Sequence, residues 1–342
     1  MKKSTKRWIL GAVSGLILLI VISGILFFYG YRSWLRQTTA DALKDSRIVE
    51  TEFGITEYNT LGKKENPVML LFHGGGTGSN MVWIYREFAD QGFYVICASR
   101  SGVKGTPYDP DASFEKSADM SAALLAKLGI TRKVNVLGVS LGGPAALQFA
   151  IRHQDMTRTL IMMDAVSTPY YIHPAHKKTF IGKIFLSGSY LDFFGYLQYL
   201  EGKYAWSRLT KSWLEVITLY DSRKCGQIAR QLAANPGDRN MLNLFVAITS
   251  PMSLYYKGMM QECHQAEKLP DYPLGQITAP TLVTHSRVDG SVAFSNGVNT
   301  AGKIPGAALF AFDGNGHLFF LGQDWLVIRE KTLSFLKANN YQ

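Results

Sequence analysis

The chain has 342 residues, of which 47% are hydrophobic, and a formal net charge of +10. That length suits one large α/β domain carrying an insertion better than two equal domains. The basic residues are scattered and accompany no nucleic-acid motif, which argues against a nucleic-acid partner and for solubility and attraction to anionic lipid. Cys97, Cys225 and Cys263 are widely spaced and match no metal-ligand pattern. Cys97 lies in an apolar run and reads as a small buried hydrophobe. Whether Cys225 and Cys263 pair is left open.

Residues 1–7 carry Lys2, Lys3, Lys6 and Arg7 and no acid. Trp8 to Tyr31 then runs without a charge until Arg32. About two dozen residues at 1.5 Å each span roughly 36 Å as a helix, enough to cross a bilayer. Trp8, Tyr29, Tyr31 and Trp34 sit near the two ends, as interfacial aromatics do. A cleaved signal peptide would want a shorter apolar core and a small-x-small site, and Phe27-Phe28-Tyr29-Gly30-Tyr31 is a poor match. Residues 1–34 therefore read as an uncleaved single-span anchor contacting membrane lipid. The denser, acid-free positive charge before the span puts the N-terminus in the cytoplasm and the rest outside.

Residues 35–46 read as a juxtamembrane spacer or helix. Residues 47–61 alternate as one or two antiparallel strands. Val68 to Phe72 is an apolar strand, followed by the glycine-rich loop His73 to Ser79. Met81 to Gln91 reads as a helix, Phe93 to Ala98 as a strand, and Ser117 to Leu128 as a helix stopped by Gly129. Val134 to Leu137 and Thr157 to Met163 are further strands, with a helix from Pro144 to Ala150 between them. Strand and helix alternate throughout, which predicts a mainly parallel sheet covered on both faces.

Residues 170–271 break that rhythm. They are rich in aromatics, among them Tyr170, Phe180, Phe185, Phe193, Tyr196, Tyr199, Tyr204 and Trp213, and carry Lys177, Lys178, Lys183, Lys203 and Arg208. Cys225 to Ala234 and Met241 to Ile248 look helical. The segment reads as a helical cap, its aromatics packing the cap itself or lining an apolar acyl pocket. The sheet pattern resumes with a strand at Thr281 to Thr284, a helix over Val292 to Ala301, a strand at Ala307 to Phe312 and a helix from near Gln323. The expected organisation is therefore an anchor (1–34), a spacer (35–46), a core in two parts (47–169 and 272–342) and a cap (170–271).

The chemistry centres on Gly138-Val139-Ser140-Leu141-Gly142-Gly143, a G-x-S-x-G turn between a strand and a helix. A serine nucleophile must stand clear of the sheet on a tight turn, and the helix after it aims its free N–H groups at developing negative charge. A serine hydroxyl needs a base, and the base an orienting anion. His317, in the loop after the last strand, is the expected base. Asp289 is the expected acid, although Asp164 also follows a strand and competes. The glycines after His73 lack the endings of a phosphate-binding loop and suit backbone N–H donors beside a carbonyl oxygen. His73 reads as a loop organiser.

Four pieces in order, HGGGTGS from His73, GVSLGG from Gly138, HSRVDGSV from His285 and GNGHLFF from Gly314, resemble the α/β-hydrolase superfamily over Glu52 to Asn339. The resemblance implies a mostly parallel α/β-hydrolase sheet with helices on both faces and a helical cap, here preceded by one transmembrane helix. It implies a triad of Ser140, Asp289 and His317 in the order typical of that fold. It also implies an oxyanion hole from the N–H groups of Leu141 and Gly75. The expected substrate is a small-molecule ester with an apolar acyl part, and no metal or organic cofactor is implied. A peptidase, a carbon–carbon bond hydrolase or a silent binding protein on the same scaffold are the rivals. Gly143-Pro144 departs from the small residues, such as alanine, usual after the nucleophile turn.

Overall fold

The computed structural model describes residues 3–172, 188 and 190–340. Lys2, Lys177, Lys178, Phe180, Lys183 and Phe185 lie outside the described residues. Helix α1 (Lys3–Leu43) is continuous. An 18-residue window within it has a mean hydropathy of 2.6, with none of the window buried. Residues 35–43, expected as spacer or helix, are its last turns. The chain leaves it through a turn at Asp45 (φ 60°) into the sheet.

Eight strands follow: β1 (Arg47–Thr51), β2 (Gly54–Leu61), β3 (Val68–Phe72), β4 (Tyr94–Ala98), β5 (Val134–Val139), β6 (Thr157–Met163), β7 (Thr281–Ser286) and β8 (Ala308–Phe312). Their spatial order is β1-β2-β4-β3-β5-β6-β7-β8. The β1–β2 and β2–β4 pairs are antiparallel, and the rest are parallel. In β3 the two-residue period of a strand sends Val68, Leu70 and Phe72 into one apolar layer and Met69 and Leu71 into the other. Both faces are therefore covered, and β3, β4 and β5 are buried along their whole length.

Helices α3 (Phe114–Lys127) and α4 (Gly143–Arg152) pack on the first layer through Phe114, Leu124, Leu125, Leu147 and Phe149. Helix α3 begins three residues before the sequence-based start, because the Ser113 side chain accepts the Lys116 N–H and caps it there. Helix α11 (Gly322–Asn340) covers the second layer with Trp325, Ile328 and Leu336. The helix expected over Met81 to Gln91 is instead a 3₁₀ turn, Ser79–Trp83, and a short helix α2 (Arg86–Asp90). Trp83, Ile84 and Phe88 still pack on that layer, so the apolar pattern was real and the helical path was broken at Tyr85.

Among the described residues, five α-helices lie between β6 and β7: α5 (Leu191–Tyr204), α6 (Trp206–Ile217), α7 (Ser222–Ala234), α8 (Pro236–Ile248) and α9 (Ser253–Ala266). Asp221 and Asn235 cap α7 and α8 with their side-chain oxygens. The helix expected over Val292 to Ala301 is α10 (Ser295–Lys303), set later because the chain first wraps the Asp289 carboxylate. All three cysteines are free and buried. Burial pushes the thiols of Cys97 and Cys263 up to about 12, so both are inert thiols at neutral pH.

Candidate active site

Ser140 sits at the C-terminal end of β5, where the chain passes from strand to 3₁₀ turn to α4. Its φ is +52°, in the left-handed region. Such a conformation costs a non-glycine residue on the order of 1–3 kcal/mol, so the surrounding packing must impose it. The glycines provide that packing. A Cβ on Gly142 would lie 2.5 Å from the carbonyl oxygen of His73 and 2.7 Å from the carbonyl carbon of Phe72. Gly143 accounts for the departure in the motif: its Cβ would lie 2.9 Å from the Val166 nitrogen and 3.1 Å from Ala165 Cβ. Pro144 stands in the first turn of α4, where its missing N–H costs nothing.

The loop after β8 brings His317 to this turn. Its Nε2 lies 2.8 Å from Ser140 Oγ, and its Nδ1 lies 2.6 Å from Asp289 Oδ2. With the Nδ1–H donated to the carboxylate, Nε2 is free to accept the serine proton. Asp289 is anchored in turn, its Oδ1 accepting the N–H groups of Ser291 (2.7 Å) and Val292 (2.9 Å). Burial pushes its carboxyl up, but the His317 ring, the Val292 N–H and His285 outweigh burial and hold it below the ordinary value.

Asp164, the competing acid, does not reach His317 in this way. It is fully buried, has φ +43°, and its Oδ1 accepts the Ser286 N–H at 2.9 Å. Its Oδ2 meets no donor. Its side chain instead lies against Asp289, and the donor atoms of Asp164, Asp289 and His317 fall within 4.8 Å of one another. A like charge close by disfavours ionisation. Burial, and then the Asp289 charge, push the Asp164 carboxyl well above its ordinary value. His285 Nε2 lies 4.0 Å from Asp289 Oδ2, and its N–H is donated to the Val292 carbonyl at 2.9 Å. Burial holds its pKa below the ordinary value. The same trio is spaced for a cation, but N–H donors already occupy Asp289 Oδ1 and Asp164 Oδ1.

The glycine loop lies beside the nucleophile turn. A Cβ on Gly74 would be 3.3 Å from Ser140 Cβ, and one on Gly75 would be 3.1 Å from Leu141 Cδ2. Gly75 and Leu141, the two expected oxyanion residues, are therefore neighbours. His73 is buried; its Nδ1–H is donated to Gly74 O (2.9 Å) and its Nε2 accepts the Arg100 N–H (3.3 Å). Burial first, and then the Arg100 charge, hold its pKa well down. It braces the loop and faces no reacting group.

Sequence reasoning missed several residues here. Arg100, buried, donates through Nη1 to the His73 carbonyl (2.7 Å) and through Nε and Nη2 to the two oxygens of Glu262 on α9. Met259, also on α9, lies over the loop, its Cγ 3.4 Å from a Cβ built on Gly75. Ile217 O, at the end of α6, accepts both the Gly290 N–H (3.1 Å) and the His317 N–H (3.2 Å). The helices between β6 and β7 thus tie down the acid, base and glycine loops together.

This geometry and sheet define a hydrolase scaffold, and the comparisons agree. Residues 67–324 match the family model of the alpha/beta hydrolase fold. The chain belongs to that family. An uncharacterized hydrolase of Bacillus subtilis is 24% identical over 298 residues, covering 85% of this chain and 99% of its own length. The 2-hydroxy-6-oxo-6-phenylhexa-2,4-dienoate hydrolase of Comamonas testosteroni is 27% identical over 296 residues, 82% of this chain and 91% of the relative. An alpha/beta hydrolase fold protein of Nakamurella multipartita superposes with a TM-score of 0.75 at 23% identity, covering 86% of this chain and 99% of that one.

Proposed function

We propose that the protein is a membrane-anchored serine hydrolase that cleaves carboxylic esters through an acyl-enzyme on Ser140. The observation that carries this reading is the hydrogen-bonded line from Ser140 Oγ through His317 to Asp289. Ser140 attacks the ester carbonyl while His317 Nε2 takes its proton. The N–H groups of Leu141 and Gly75 hold the oxyanion, a contribution worth on the order of a hundredfold or more per donor in comparable sites. His317 then gives the proton to the leaving alcohol. In the second half it activates water to release the acid. Asp289 fixes the ring tautomer and stabilises the imidazolium.

In this reading residues 47–169 and 272–342 form the hydrolase core and 170–271 the cap. Met259 stands over the oxyanion loop and suits an apolar acyl part. Residues 1–34 are the anchor, supported by the long, unburied apolar run. The flanking charges put the catalytic domain outside the cytoplasm. A C-terminal reporter active only in the cytoplasm would refute that orientation. Similarity to the dienoate hydrolase favours a second reading, carbon–carbon bond hydrolysis by the same side chains. A panel of acyl esters, aminoacyl amides and vinylogous diketones tests the choice. Turnover confined to the acyl esters is expected, and turnover confined to diketones would favour the second reading.

A further inference from the structure

The far end of α1 does not stand apart from the rest of the protein. Phe27, inside the charge-free run, packs its ring 6.1 Å from Phe193 and 5.3 Å from Tyr196 on α5. Tyr31 lies 6.0 Å from Phe193, and Trp34 lies 5.4 Å from Tyr196 and 6.1 Å from Tyr199. Gly30 makes the approach possible: a Cβ there would lie 2.6 Å from the Tyr196 hydroxyl. Helix α5 is therefore fixed at the level of residues 27–34, across the boundary between the charge-free run and Arg32. Beside this contact, α1, α5 and α8 enclose a cleft of about 890 Å³, lined among others by Tyr29, Trp34, Tyr199, Lys203, Tyr204 and Asn243. Tyr29 and Tyr204 of that lining are exposed, and so is Leu197 on α5. Lys203 stands over the Tyr204 ring at 5.3 Å.

We propose that α5 lies in the headgroup layer of the bilayer and that a membrane phospholipid occupies the cleft between α1, α5 and α8. The proposal rests on reading α1 as a membrane span. If residues up to Tyr31 are in hydrocarbon, a helix packed on Phe27 and Tyr31 has no aqueous position available to it. Its chemistry suits the interface: aromatic rings that are apolar at one end and hydroxylated at the other, a basic side chain for phosphate, and an exposed leucine, Leu197, for the acyl layer. Continuity with the span argues for lipid over a second copy of the chain. The consequence is an enzyme held flat against the membrane, with substrate drawn from amphiphiles in it.

The test uses the full chain in nanodiscs of phosphatidylethanolamine and phosphatidylglycerol. The photoreactive residue p-benzoylphenylalanine replaces Leu18, Leu197, Tyr204 or Leu309 one at a time, and intact mass reads the adducts after illumination. Retained fluorophosphonate labelling selects the variants that are folded. Phospholipid-mass adducts are expected at Leu18, Leu197 and Tyr204, and none at Leu309 on the β8 edge. Adducts at Leu18 alone would leave the anchor standing and overturn the docking. No adduct at Leu18 would overturn the anchor itself. Chain-to-chain adducts at Leu197 or Tyr204 would mean that a second copy covers this face, and would also overturn the proposal.

Discussion

Glu262 and Arg100 form a buried two-pronged ion pair that joins helix α9 to the loop after β4. The remaining guanidinium nitrogen, Arg100 Nη1, holds the carbonyl of His73, the residue that opens the glycine loop. A helix of the segment between β6 and β7 therefore sets the position of Gly75 through two side chains.

Glu262→Ala leaves the guanidinium buried without its partner. Losing one member of a buried pair costs about 3–5 kcal/mol. A drop in stability of that order is expected in denaturant melts. Where the variant is still folded, kcat is expected to fall more than KM rises, because the glycine loop beside Ser140 loosens. Glu262→Gln keeps one hydrogen bond and should recover part of both. A Glu262→Ala variant with unchanged kcat would separate the pair from the site.

The two buried acids are expected to behave oppositely. Asp289→Asn removes the anion on His317 Nδ1 and should lower kcat by orders of magnitude, about 10⁴ in a comparable triad. Asp164→Asn should be mild. Its amide oxygen can accept the Ser286 N–H, and its NH₂ adds no like charge beside Asp289. Steady-state rates of the two variants on one ester settle the assignment. A severe Asp164→Asn and a mild Asp289→Asn would reverse it.

Asp164 also gives a pH signature. Its folded-state pKa is raised well above the ordinary value of 3.8. A raised group contributes stability that is complete below the unfolded value and is lost as pH rises through the folded one. Asp164→Asn removes that loss. The variant should match or trail wild type near the ordinary carboxylate pKa and melt progressively higher than wild type as pH increases above it. Parallel melting curves across the range would mean that Asp164 is ionised at neutral pH.

Much of the fold and of the candidate site was legible from local pattern. The strand, tight turn and helix around Ser140 are written in adjacent residues. The loops that carry Asp289 and His317 follow runs of strand composition, so a parallel sheet brings all three to one edge. The Arg100–Glu262 pair was not legible, because 162 residues separate its members and neither lies in a motif. Nor was the raised carboxyl of Asp164, since it comes from burial and from the nearby Asp289 charge. The helix expected at Met81 to Gln91 misread Trp83, Ile84 and Phe88: their spacing fits a helix, and a 3₁₀ turn plus a short helix buries the same three faces. Residues 35–46 read as spacer or helix, because a solvated helix and a spacer are both polar, and α1 continues through most of them.

The nucleophile is the centre of the account, and it is tested most directly by mapping the site of fluorophosphonate attachment. The full chain is labelled, digested and sequenced by mass, beside Ser140→Ala and His317→Ala variants with unchanged circular dichroism. The expected result is one adduct on Ser140, absent in Ser140→Ala and strongly reduced in His317→Ala, with ester turnover lost in both. An adduct on another serine, or ester turnover that survives in Ser140→Ala, would contradict it.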